Sequence, residues 1–366
     1  MAIQASTHPE VAKNQHLVPQ TYMSAWSYNN GDSVWVYDKN NAKHPDKNGI
    51  PAVRSRSIEK INCINNYHDI KAGDFFTTEA ALNEIFGFLK PYSISVDGTL
   101  ITSLESLNKE YLRFDEWEII KPDGNHATRK DRNTIKTALR QSRFPFIETA
   151  WSDQFESDWE GFIAGIEKRV RIIRGCSPGQ AALLPSDINR LMEYLVVFDW
   201  RSQKSNHLLS EALDLIFSVV PEFNIEIPES DRLHPGVHTV KDEIKQNYLR
   251  KMYYEFLNHG ESTMTTAVTA YLQNLSIIFC LTSVPNLFIT SDRPACMLQR
   301  DDGFKEHILV ATPTMLITTA RTDDIRKYKV SVLNPDEVLQ YNRRIVQACD
   351  LLILPDSNKD ISLLLE

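Results

Sequence analysis

The chain has 366 residues, 42% of them hydrophobic and 24% charged, which is enough apolar content for one large domain or two ordinary ones. Its formal net charge of −8 excludes a protein that coats nucleic acid with its whole surface, while leaving room for a local basic groove. The longest apolar stretch, Leu275–Leu281, is too short to span a bilayer, and the first fifteen residues hold no apolar run; a cytoplasmic protein without membrane contact is expected.

Residues 1–13 read as a loose polar tail. The box Asn14-Gln15-His16-Leu17-Val18-Pro19-Gln20-Thr21-Tyr22 follows, an apolar run that stops at a proline, as a strand does when it enters a turn. Ser33 to Asp38 is β-branched and aromatic and follows the Asn30-Gly31-Asp32 turn, so it reads as a hairpin strand. Residues 40–51, rich in Asn, Lys, Pro and Gly, form a solvated loop. Thr77 and Thr78 precede Glu79 at what reads as a capped helix start.

From Thr99 to about Gly175 the apolar spacing is mainly helical, with Pro145 separating two helices. Gly175-Cys176-Ser177-Pro178-Gly179 breaks the chain, and Pro185-Ser186-Asp187 then opens a long helix running towards Phe217. Two further helices are predicted at 240–258 and from Thr265 to about Cys280. The texture then changes. Residues 287–290, 307–310 and 315–318 are short β-like runs, Asn334-Pro335 starts a helix, and 351–354 is a last strand.

This order predicts an α+β fold in one integrated domain over 14–360. It has an N-terminal β region at 14–75, a mainly helical region at 77–280 and a C-terminal β/α region at 286–356. Each β region has too few strands for a stable sheet of its own. The two are therefore expected to share one mixed sheet, which brings the first box near a second, Asn286-Leu287-Phe288-Ile289-Thr290-Ser291-Asp292-Arg293-Pro294. Five cysteines (Cys63, Cys176, Cys280, Cys296, Cys349), odd in number and without CxxC spacing, read as reduced thiols.

The His-Leu-Val-Pro-Gln-Thr-Tyr box, the strand Val34 to Asp38 and the Phe-Ile-Thr-Ser-Asp-Arg-Pro run at 288–294 together resemble a bacterial family catalogued as domain of unknown function 4238. The resemblance extends to an acidic helix matched by Glu79 and Glu84, a central helix with an arginine matched by Arg201, and a late asparagine matched by Asn334 or Asn342. Arg293 departs from the small or amide residue common at its place. Some members of that family are linked to anti-phage defence, so the resemblance implies a defence role, with a phage-encoded trigger, more than it implies a reaction.

Within these boxes His16 suits a general base or metal ligand, or a side chain that fixes the turn. Asp292 suits a metal or base partner, although Asp-x-Pro is also a turn formula. Ser291 lacks the glycine elbow of a serine nucleophile. Glu79 and Glu84 lie five apart and cannot share a helix face, so at most one serves a site. Arg201 suits a phosphate contact or a buried carboxylate partner. A hydrolytic site on a phosphodiester or nucleotide would combine His16, Glu79, Arg201 and Asp292, with Asp292 and Glu79 holding Mg²⁺ in a metal-assisted version.

A separate signal is the run Arg129, Arg132, Lys136, Arg140 and Arg143, spaced 3, 4, 4 and 3, which puts five cations on one helix face. Like charges at such spacings cost an isolated helix about 0.2–0.5 kcal/mol per pair, so RNA, DNA or another phosphate ligand is an expected partner. His234 and His238 are four apart, but Pro235-Gly236 breaks the helix that would pair them. Two non-enzymatic readings stand beside the hydrolase: a sensor that recognises a phage component through the basic stripe, and a regulatory module that needs a partner protein.

Overall fold

The computed structural model describes residues 14–29, 31–39, 53–74, 77–175, 182–202, 213–217, 221–229, 232, 236–300, 302–321, 328–355 and 361–365. The tail at 1–13, the loop expected over 40–51, the break at 176–179 and His234 lie outside the described residues. The fold is α+β. The chain forms two compact units, each assembled from three stretches of sequence. The first takes residues 1–15, 65–151 and 215–260, and the second takes 16–64, 152–214 and 261–366.

The first unit packs helices around a small antiparallel sheet of Thr99–Leu100, Ser93–Val96 and Glu118–Ile120. Sequence spacing favours helix from Thr99 onward, and the sheet corrects that expectation. The cause is Asp97-Gly98: both residues take positive φ (52° and 74°), and Val96 pairs with Thr99 across them. That is the two-residue hairpin turn whose twist matches the strands it joins. Ile85, Phe86, Ile94, Trp117, Ile119, Ile135 and Leu139 bury together as the core of this unit. Helix Arg129–Gln141 lies on that core by Ile135, Ala138 and Leu139, and Pro145 separates it from Phe146–Trp151 as expected.

Among the described residues the second unit holds two larger sheets. One runs in the order Arg54–Ser57, Ser33–Asp38, Leu351–Leu354, Thr290–Ser291. Leu352 pairs with Tyr37 on one side and with Ser291 on the other. The N-terminal and C-terminal β regions therefore do share a sheet, with the last strand as the shared neighbour. The other sheet orders Ala295–Gln299, Lys305–Thr312, Met315–Arg321, Leu275–Leu281 and Tyr328–Val332, the final pair parallel and the rest antiparallel.

Leu275–Leu281 is a second correction. The helix expected to reach Cys280 stops at Asn274, and the next seven residues are a strand hydrogen-bonded on both sides. A run such as Ile277-Ile278-Phe279 is apolar on both faces of a sheet, and periodicity cannot separate it from a buried helix. The helix Pro335–Ala348 begins as predicted, with Asn334 accepting from the Asp336 and Glu337 N–H groups and proline at its first turn.

Candidate functional site

The two sequence boxes meet inside the second unit, through residues other than the ones chemistry would choose first. Tyr22 is fully buried; its hydroxyl accepts from Thr290 Oγ1 at 2.5 Å and donates to the Val310 carbonyl at 2.6 Å. Trp26 donates Nε1–H to the Phe288 carbonyl at 3.1 Å. The Tyr22 ring packs at 5.1 Å from both Trp26 and Phe198, and burial drives its hydroxyl well above the ordinary tyrosine range. Such a phenol stays protonated and serves as a cross-link of the core.

The residues predicted for catalysis fall in both units. His16, 7% exposed, has its ring beside the Gln20 side-chain amide at 3.3–3.4 Å. Arg201, 1% exposed at the end of helix Pro185–Arg201, pairs with Glu156, which sits on a π-helical turn at Ser152–Glu156. Asp292 accepts from the Asp350 N–H at 3.2 Å while its own N–H donates to Leu351, so it clamps the end of the last strand. Ser291 Oγ bonds the backbone of Arg293. His16, Arg201, Asp292 and Ser291 belong to the second unit. Glu79 belongs to the first, exposed at the first turn of helix Glu79–Phe86. Asp292 and Glu79, the pair expected to hold Mg²⁺, thus come from different units. Among the described residues no group of three or more His, Cys, Asp or Glu is arranged to hold a metal ion.

The basic stripe is helical from Arg129 to Gln141, started by Thr128 in a reciprocal cap with Asp131. Arg143 is a correction, because the helix ends before it and Ser142 turns extended. Two of the remaining cations serve the fold. Arg132 donates to the carbonyls of Phe114, Asp115 and Trp117 and lies over the Phe114 ring; Lys136 pairs with Asp115 at 2.8 Å. Arg129, Lys130 and Arg140 are exposed. A groove of about 670 Å³ runs along the same helix, lined by Arg129, Lys130, Asn133, Thr134, Thr137 and Gln141.

The first unit also buries a charged cluster. Arg250, 3% exposed, donates to the Asp69 carbonyl at 2.6 Å and reaches Asp74 at 3.2 Å and Asn247. Gln15 bridges the Asp69 carboxyl and the His68 N–H, and His68 Nδ1 lies 3.3 Å from Glu148. Burial raises the carboxyls of Asp69 and Asp74 despite the opposing arginines. Burial, with Arg143 and Arg250 adding repulsion, lowers Lys71 to about 8. The crevice beside Asp74 and Arg250 measures about 10 Å³, room for a water and no substrate.

The second unit encloses a larger space. A cavity of about 610 Å³ lies between the five-stranded sheet and helix Pro335–Ala348. Its floor is Glu306, 2% exposed, which takes Thr318 Oγ1–H at 3.0 Å on Oε2 and pairs through Oε1 with Arg344. Cys280 and Tyr341 share a hydrogen bond on the wall, and burial pushes the thiol up to about 12, so it is no nucleophile at neutral pH.

A family profile described as "Protein of unknown function (DUF4238)" matches residues 14–358. The chain belongs to the DUF4238 family. No curated protein and no solved structure matches it. In this DUF4238 chain one of the two asparagines considered for the last helix holds the second box in place. Asn342, 1% exposed, accepts from the Ile289 N–H and donates to the Leu287 carbonyl. Sequence reasoning missed Glu306, Arg344, Lys71, Asp74 and Arg250. None of them left a clear trace, since Glu306 lies between Lys305 and His307 at the polar start of its strand and the others sit at ordinary polar positions.

Proposed function

We propose that this DUF4238 protein is a recognition component of bacterial anti-phage defence that contacts the phosphate backbone of RNA or DNA across helix Arg129–Gln141. The observation that carries the reading is the exposed trio Arg129, Lys130 and Arg140 beside a groove lined by amides and hydroxyls. Cations on a chain of net charge −8 give local attraction without general stickiness. Three phosphate contacts correspond to a slope of about −2 to −3 in log affinity against log salt.

The test is fluorescence anisotropy with labelled RNA and DNA over a salt series. Changing Arg129, Lys130 and Arg140 together to Glu is expected to remove binding and phage protection while leaving the melting temperature unchanged. Arg132 and Lys136 are poor test positions because they hold the Phe114–Trp117 segment. A wild-type chain that binds neither polymer at low salt would sink the proposal.

The buried cluster favours a second reading, hydrolysis of a phosphodiester or nucleotide. Perturbed acids and a lysine near neutrality gather at functional sites. In that reading Lys71, Asp69 and Asp74 move protons and Arg250 or Arg143 holds phosphate, after the crevice opens. Loss of cleavage in Lys71→Met with the fold intact is its expected signature.

A further inference from the structure

We infer that helix Arg129–Gln141 enters the major groove of duplex DNA and reads base edges there. The inference rests on the phosphate-contact reading of the same helix and adds the polymer and the manner of recognition. It is carried by the order of side chains on the exposed face. Residues four apart line up along a helix. Arg129, Asn133, Thr137 and Gln141 therefore form one exposed row, a cation followed by an amide, a hydroxyl and an amide. Lys130 lies on one flank of that row and Arg140 on the other. The acids nearby are engaged elsewhere: Asp131 caps the helix with Thr128, Asp115 pairs with Lys136, and Asp123 pairs with Lys121 at 3.3 Å. Arg132 and Lys136 hold the fold, whereas Asn133, Thr137 and Gln141 form no side-chain hydrogen bond among the described residues and line the groove.

The geometry selects one polymer. With its side chains a helix measures about 10–12 Å across, and the major groove of B-DNA is about 12 Å wide. Asn and Gln amides each match N6 and N7 of adenine with a pair of hydrogen bonds, and a threonine methyl packs on the thymine methyl. Asn133 and Gln141 lie about 12 Å apart along the helix axis, a span of about three to four base-pair steps. Thr137 sits between them, and Lys130 and Arg140 on the flanks face the phosphates that border the groove. A duplex of RNA offers a major groove too deep and narrow for side chains to read. Single strands are held by stacking their bases on aromatic rings, and no aromatic side chain is among the described residues that line this groove.

The experiment selects from a pool of DNA duplexes, randomised over a central window, those that the full chain retains. Fluorescence anisotropy then compares the enriched duplex with the unselected pool, the RNA duplex of the same sequence and each single strand. Enrichment of A·T pairs about three to four steps apart is expected. The enriched DNA duplex is expected to bind at least about a hundred-fold more tightly than the pool. Asn133→Ala and Gln141→Ala, at exposed helix positions that favour alanine and checked by melting curves, are each expected to lower that advantage by roughly five- to a hundred-fold. Lys130→Ala is expected to weaken the enriched duplex and the pool alike. Binding to DNA without enrichment overturns this inference and leaves the phosphate-contact reading standing. So does tighter binding of the RNA duplex or of a single strand, or an advantage that survives both alanine changes. A chain that binds no polymer at low salt removes both.

Discussion

Lys71 offers the sharpest physical test of the buried cluster. Its ammonium is pressed from the ordinary 10.5 down to about 8 by burial first and by Arg143 and Arg250 second, against the pull of Asp74 and Asp69. The folded chain therefore releases this proton near pH 8, while the unfolded chain keeps it until 10.5. Between those values unfolding takes up a proton, so the contribution of Lys71 to stability rises with pH. Below pH 8 both states are protonated and the full penalty is present. A shift of this size corresponds to about 3 kcal/mol, an upper figure for a side chain that keeps some solvent contact. Urea titrations of wild type and Lys71→Met at half-unit steps from pH 7 to 10.5 measure it. The stability difference should favour Met at pH 7 and shrink by about 2–3 kcal/mol towards pH 10.5. Parallel profiles would refute the reasoning, since they would mean that Lys71 titrates alike in both states.

Other perturbations test the cross-links. Tyr22→Phe removes the hydroxyl shared by Thr290 and Val310 and is expected to cost about 1–3 kcal/mol in chemical denaturation. Asn342→Ala frees the Ile289 N–H and Leu287 carbonyl, with a similar loss. Glu156→Ala leaves the Arg201 guanidinium, 1% exposed, without this carboxylate, and a drop of about 3–5 kcal/mol in stability is expected. A stable Glu156→Ala protein would show that other contacts carry Arg201.

Backbone architecture was legible where local chemistry and tertiary packing agree. The cap at Thr78, the proline at 335 and the strand at Ser33–Asp38 follow from residue type alone. Both β regions do pair in one sheet, but not for want of strands: four strands between Ala295 and Val332 join Leu275–Leu281 in a separate five-stranded sheet. The misses have equally specific causes. Asp97-Gly98 is a strong hairpin signal, overlooked because the stretch that follows it from Thr99 has apolar spacing that looks helical. Leu275–Leu281 is doubly buried, which erases the alternation that marks a strand.

The candidate site was less legible, for a reason visible in the boxes themselves. A short motif marks residues that the fold requires, and a reader who seeks chemistry picks its titratable members. In this protein Tyr22 and Thr290 link the boxes and Asn342 holds the second, while His16 ends a short strand and Asp292 clamps the end of the last one. The groups with perturbed chemistry lie elsewhere, on residues whose environment is set by distant chain. Lys71 owes its shift to burial first and then to Arg143 and Arg250, 72 and 179 positions away. Glu306 faces Arg344 across 38 residues. Buried ion pairs and shifted groups of that kind depend on burial, and burial is a property of the assembled unit. A motif search therefore recovers the scaffold of a family like this one first, and its chemistry only after the fold is known.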